Sequence, residues 1–316
     1  MSSGWTEHDM PSLDGKTVVV TGANSGIGYE GTRAFAAKGA TVVMACRSTE
    51  RGERAASEIS AQVPDADLDV MECDLADLSS VESFAGAFTS DYDELHVLCN
   101  NAGVMALPRG ETADGFEQQF GINHLGHFAL TGHLLETLAA TDGARVVTQS
   151  SGAHEQGEID FDDLQSERSY GKWAAYSQSK LANVLFGYEL DRRTDEADLD
   201  LTSVVCHPGY ADTDLQRRAG EAGGGAIGAV VMEVANAVLA QSQEKGTLPM
   251  LYAATHDGIT GGEYVGPGGL MNMRGPPAVQ DSSDRSYNRS TASRLWDVSE
   301  ELTGVEYAFE ERVTAD

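Results

Sequence analysis

The stretch Val18–Gly28, VVVTGANSGIG, begins with three valines and a threonine and then places glycines at 22, 26 and 28. β-Branched residues favour a strand. A helical pattern, IGYEGTRAFAAKGA over residues 27–40, starts where the bare backbone ends. First-turn amides of a helix lack intrahelical partners and carry the positive end of its dipole, so glycines at such a junction form a cradle for a phosphate. Gly26 lets the backbone approach that anion closely, and Gly28 lets the helix pack against the strand. The spacing is G-x-x-x-G-x-G, not the commoner G-x-G-x-x-G. Gly22, Asn24, Ser25, Gly26, Ile27 and Gly28 are therefore candidate phosphate contacts. Taken alone, such a segment can also be a plain tight turn, the less common case.

Outward from it, short apolar runs alternate with helical patterns. Lys16–Gly22, Thr41–Cys46, Leu68–Cys73, Leu95–Cys99, Arg145–Gln149 and Leu201–Cys206 read as strands. Near-continuous apolar strands separated by helices imply a parallel sheet covered on both faces. The expected fold class is α/β: a single-domain, Rossmann-type, doubly wound parallel sheet, with its ligand crevice at the carboxyl ends of the strands. Loops are expected at HPGYADTD and at GGEYVGPGG, and a last helix over about 285–302. The expected division is an N-terminal extension over 1–14, one domain over 15–304 with a glycine-rich substrate lid at about 210–235, and a tail over 305–316.

Composition narrows the function classes. Of 316 residues, 41% are hydrophobic, enough for a sizeable core. The polar start, MSSGWTEHDMPSLDG, lacks the apolar core of a secretory signal. The longest apolar run, residues 226–240, is broken by Glu233 and Asn236 and is too short to span a bilayer. Cys46, Cys73, Cys99 and Cys206 lack metal-type spacing and read as small apolar residues at strand ends, which fits a reducing cytoplasm. Fifty acidic against twenty-one basic residues give a net charge of −29, with the acids spread along the chain. Phosphate backbones would be repelled, which argues against nucleic-acid binding. The expectation is a halophilic character, an acidic surface whose self-repulsion is screened at molar salt, where the Debye length is about 3 Å.

Further motifs follow in order: NNAG at 100–103, INHLGHF at 122–128, VVTQSSGAH at 146–154, YSQSKLANVLF at 176–186 and HPGYADT at 207–213. With TGANSGIG they resemble the short-chain dehydrogenase/reductase family over roughly Gly15 to Gly304. SSGAH, the 25-position separation of Ser151 from Tyr176, and RLWDVSEELTG at 294–304 resemble the retinol dehydrogenase-like branch, which includes protochlorophyllide reductase-like proteins. The resemblance implies a catalytic set of Asn123, Ser151, Tyr176 and Lys180. Tyr176 would be the general acid/base, Ser151 would hold the substrate oxygen, and Asn123 would anchor a water relaying protons through Lys180. Lys180 lies one helical turn after Tyr176, and its cation is expected to lower the phenol pKa. Ser150, Tyr170 and Tyr188 are the residues with which the set could be confused. His124, His127 and His133 form no metal set and read as helix residues.

The resemblance also implies cofactor contacts from Asp74, Leu75, Asn101, Ala102, Gly103, Tyr176, Lys180, Pro208, Gly209 and Thr213. An acid at the end of the second strand would hold the ribose hydroxyls of NAD(H), whereas an Arg would pair with the extra phosphate of NADP(H). Here Cys46 stands in the acid's place and Arg47 follows, with Ser48 a further hydroxyl contact, so NADP(H) is favoured over NAD(H). The expected partner is a lipophilic aldehyde, ketone or alcohol, with His154, Tyr210 and residues 227–232 as pocket candidates. A homodimer or homotetramer is also implied. The expected reaction is alcohol–carbonyl interconversion by hydride transfer. A redox sensor or scaffold that binds NADP(H) without turnover is the alternative, and it would need only the glycine turn and Arg47.

Overall fold

The computed structural model describes residues 4–209, 242–269 and 272–309. The lid over 210–235, with Tyr210, Thr213 and residues 227–232, lies outside them, as does the end of the tail. The strands are β1 (Thr17–Thr21), β2 (Thr41–Cys46), β3 (Asp67–Glu72), β4 (Val97–Asn100), β5 (Ala144–Gln149), β6 (Leu201–Cys206), β7 (Tyr264–Pro267) and β8 (Pro277–Gln280). They form one sheet of order β3-β2-β1-β4-β5-β6-β7-β8, in which only the β7–β8 pairing is antiparallel. The chain steps outward from β1 to β3, then returns to the other side of β1 with β4. Loops after β1 and β4 therefore diverge and leave a crevice above their carboxyl ends.

Alternation along the central strands builds two cores. Val18, Val20, Val42, Met44 and Cys46 point to one face. There they meet α1 (Gly26–Ala37), α2 (Thr49–Gln62) and α8 (Gln243–Thr255) through Phe35, Ile59 and Met250. Val19, Val43 and Ala45 point to the other, against α3 (Leu78–Asp91), α5 (Gly126–His133), α6 (Leu135–Ala140) and α7 (Lys172–Glu196), with α4 a single turn at Gln118–Phe120. A two-residue side-chain period with both faces covered is why these strands read as continuous apolar runs. Helix α7 is buried nearly all round from Ala175 to Leu190, because α9 (Arg289–Thr303) packs on its outer side through Ala292 and Leu295.

Two differences from the sequence expectation stand out. The GGEYVGPGG segment contains β7 rather than only a loop, its four residues held between β6 and the edge strand β8. The last helix begins at Arg289, after a separate 3₁₀ turn at Asp284–Tyr287, with Asn288 accepting from the Thr291 amide as its cap. Both ends of the described chain also pack onto the body. Met10 and Leu13 are buried, and Lys38 Nζ donates to the Met10 carbonyl at 2.8 Å. Tyr307 is buried against Trp296, and its hydroxyl donates to the Phe128 carbonyl.

Candidate active site

The glycine turn sits at the exit of β1. Gly22 and Gly26 take φ of +67° and +58°, left-handed conformations that exclude most side chains. A Cβ at Gly28 would collide with the Gly22 carbonyl and lie 2.7 Å from Asn101 Nδ2, so α1 meets the strand ends by bare backbone. Ser25, the N-cap of α1, makes no side-chain cap, and the first turn contains no acid. That donor end fits an anion, as the phosphates of a dinucleotide require.

Other expected contacts line the same edge. Cys46 is fully buried at the end of β2, in hydrogen-bonding contact with the Ala23 and Asn24 amides, and burial raises its thiol to about 11. Arg47 is exposed and, among the described residues, makes no ion pair. Ser48 caps α2 by accepting from the Arg51 amide at 3.4 Å. Asp74 Oδ1 accepts from the Ala76 amide at 3.0 Å, shaping the turn after β3, and Leu75 is buried beside it. After β4, the Asn101 and Ala102 amides both donate to the Thr21 hydroxyl at 2.9 Å, tying this loop to the glycine turn. Gly103 continues the bare edge: a Cβ there would lie 3.1 Å from Asn123 Oδ1 and 3.5 Å from Lys180 Nζ. Pro208 and Gly209 follow β6, with Gly209 at φ +67°.

The four catalytic candidates converge at the ends of β4 and β5. Tyr176 and Lys180 lie on α7, with Lys180 Nζ 5.9 Å from the Tyr176 ring centroid. The Ser151 side chain lies near enough to the Tyr176 phenol to oppose the rise in its pKa, and its hydroxyl accepts from the Ala153 amide at 3.2 Å. Ser150 is buried and donates to the Lys180 carbonyl at 2.8 Å, so of the two serines it is Ser151 that faces the phenol. Tyr170 donates to the Leu107 carbonyl and Tyr188 pairs with Ser282, both engaged elsewhere.

Asn123 stands in a π-helical turn, Gly121–Leu125, a widened turn of a kind common at functional sites. Its Oδ1 accepts from the Val104 amide at 2.8 Å. Its Nδ2 donates to the Val104 carbonyl and to Ser179 Oγ, both at 2.9 Å. Ser179 in turn donates to the Tyr176 carbonyl at 2.8 Å, so Asn123 joins the β4 loop to α7.

The electrostatics differ from the sequence expectation. The Tyr176 phenol is raised rather than lowered: burial is the larger effect, and the neighbouring Ser151 side chain only opposes it. Lys180 Nζ instead donates to the Gln149 carbonyl at 3.1 Å, and burial pushes its own pKa down to about 8. Both groups are removed from water, which penalises each charged form. His154, a pocket candidate, sits directly behind the serine loop. It is 1% exposed, its Nδ1 donates to the Ser151 carbonyl at 2.7 Å, and its Nε2 accepts from the Ser283 amide at 3.1 Å. A serine-loop histidine bonded to a segment 129 positions away leaves no local signal. Among the described residues, no three His, Cys, Asp or Glu side chains are grouped to hold a metal ion, and no helix is long and apolar enough to cross a membrane.

A doubly wound sheet, a glycine turn and a Ser–Tyr–Lys cluster at the strand ends define an oxidoreductase of the dinucleotide-binding type. Residues 16–223 match the short chain dehydrogenase family, and the chain belongs to it. It is 41% identical to human retinol dehydrogenase 12 over 297 residues, which cover 93% of this chain and 88% of that protein. The crystal structure of an uncharacterized protein from Mycobacterium paratuberculosis shares 42% identity and a TM-score of 0.80, covering 97% of this chain and all of that one. A Shigella flexneri short chain dehydrogenase complexed with NADP has the same fold, with a TM-score of 0.63 and 23% identity over 81% of this chain and 98% of its own.

Proposed function

We propose that the protein is an NADP(H)-dependent oxidoreductase interconverting an alcohol and a carbonyl, with Tyr176 as general acid/base. The observation that carries this is the buried phenol of Tyr176, with Ser151 beside it and Lys180 one turn away on the same helix. A bound nicotinamide supplies or accepts the hydride. In carbonyl reduction the Tyr176 phenol gives its proton to the developing alkoxide, and a phenol raised by burial is fully protonated at neutral pH. Ser151 holds the substrate oxygen beside it. The Lys180 cation stabilises the phenolate left behind, and the low dielectric that depresses its own pKa strengthens that attraction. Asn123 fixes the β4 loop and α7 relative to each other and anchors the water that relays protons through Lys180.

For the cofactor, Cys46 offers no carboxylate for a ribose diol, and the exposed Arg47, without an ion pair among the described residues, offers a guanidinium to a 2′-phosphate. In a chain of net charge −29 such a cation stands out from its surroundings. The human relative is named for a retinoid alcohol, which supports a lipophilic substrate. We further propose a single catalytic domain over 15–304, working in the cytoplasm at molar salt.

The test is loss of NADPH absorbance by purified protein in molar KCl against a panel of aldehydes and ketones, with Tyr176→Phe and Arg47→Ala alongside. Turnover is expected to vanish in the Phe variant, and Arg47→Ala to lose its preference for NADPH over NADH. Tight NADPH binding with no turnover across the panel would favour a sensor or scaffold.

A further inference from the structure

His127 lies on α5, one turn after Asn123, and is 1% exposed. Its Nδ1 is 3.0 Å from the Asn123 main-chain oxygen and its Nε2 is 2.9 Å from Thr21 Oγ1, 106 positions away. A carbonyl oxygen only accepts, so Nδ1 carries the ring proton. Burial pushes the imidazole pKa down to about 4, against the Asn123 hydrogen bond and with the Lys180 cation adding to the fall; His124 is the other titratable group beside it. The ring is thus neutral and Nε2 is a bare acceptor. The Thr21 hydroxyl receives the Asn101 and Ala102 amides, and its single proton points to Nε2. The competing Cys99 carbonyl is farther, at 3.2 Å, and has the Asn101 amide at 2.9 Å as another donor, whereas Nε2 has no other donor among the described residues. The carbonyl at Nδ1 and the hydroxyl proton at Nε2 are both satisfied by the Nδ1–H tautomer and not by the Nε2–H one.

We propose that His127 is a positioning residue of the active site: as the Nδ1–H tautomer it fixes the Asn123 carbonyl on one side and the Thr21 hydroxyl on the other. It thereby sets the π-turn that carries Asn123 against the glycine turn and the Asn101–Gly103 loop. The Nδ1 arm acts on the chemical machinery, because Asn123 leads through Ser179 to the Tyr176 carbonyl. The Nε2 arm acts on the cofactor cradle, because Thr21 holds the Asn101 and Ala102 amides and precedes Gly22. This role rests on the catalytic assignment of Asn123 and Tyr176 made above.

The two arms can be cut separately. In His127→Asn the amide overlays Nδ1 but falls short of Thr21; in His127→Gln the amide reaches Thr21 but abandons the Asn123 carbonyl. His127→Asn is expected to weaken NADPH binding by about tenfold with a smaller effect on kcat, and His127→Gln to lower kcat by about tenfold with a smaller effect on Kd, tenfold being about 1.4 kcal/mol. His127→Phe is expected to show both losses. Nitrogen-15 NMR of the histidine rings in the unaltered chain tests the tautomer without any variant: Nδ1 protonated, Nε2 bare, and no titration between about pH 5 and pH 8. An Nε2–H tautomer, a titration in that interval, or equal losses of kcat and affinity in the Asn and Gln variants would overturn the proposal. Absence of turnover by the unaltered chain would count against the functional assignment alone, since the tautomer and the NADPH affinities would still decide the role of His127.

Discussion

At the scale of single residues, Lys180 carries opposing demands. Its ammonium is buried, and its pKa of about 8 lies below that of an ordinary lysine. Because the unfolded chain holds that proton more tightly, folding with Lys180 charged costs stability at neutral pH, and the cost is relieved as pH rises from about 8 toward the ordinary lysine value. Lys180→Met keeps the stem and removes the charge, while Asn183 Nδ2 still donates to the Gln149 carbonyl at 3.0 Å. That variant is expected to melt higher at pH 7 and to lose about a hundredfold or more in turnover, read by calorimetry and NADPH oxidation. A lower melting temperature would show that the Lys180–Gln149 bond outweighs the burial of charge. In the unaltered enzyme the same pKa predicts carbonyl reduction that is level below about pH 8 and declines above it, as the cation that steadies the phenolate is lost.

At the scale of elements, the decisive contact is that of α1 on the ends of β1 and β4. Gly28 makes it possible, since the Gly22 carbonyl and Asn101 Nδ2 occupy the space of a Cβ. Backbone cannot rotate away as a flexible side chain can. Gly28→Ala is therefore expected to destabilise the fold by about 1–3 kcal/mol, the range of overpacking, and to weaken NADPH binding as the amide cradle shifts. Denaturant unfolding alongside NADPH titration measures both, and unchanged values of both would mean that α1 can slide. The residues of β7 show the converse. Tyr264 and Val265 form a strand because β6 and β8 flank them, a pairing no four-residue window between glycines announces.

At the scale of the whole molecule, charge is the governing quantity. A net charge of −29 works against compaction at low salt, and on the edge strand β3 the exposed Asp67 and Glu72 also discourage strand pairing with another chain. The melting temperature is expected to rise by several degrees between about 0.1 M and 2 M KCl, as the Debye length falls from about 10 Å to below 3 Å. A melting temperature indifferent to KCl would remove the case for molar-salt function and leave the catalytic assignment intact.

The amino-acid sequence by itself determined the winding of the sheet, because apolar strands with both faces buried leave long uninterrupted runs. It also determined the glycine turn and the Tyr176–Lys180 spacing, which are contiguous in the chain and obey local backbone rules. Only the tertiary structure decided what burial does to those groups. The phenol rises rather than falls, Lys180 is drawn to the Gln149 carbonyl, and His127 and His154 each bond a segment far away along the chain. Desolvation and hydrogen-bond partners 100 or more positions apart depend on which surfaces meet in space, and no local pattern encodes that meeting.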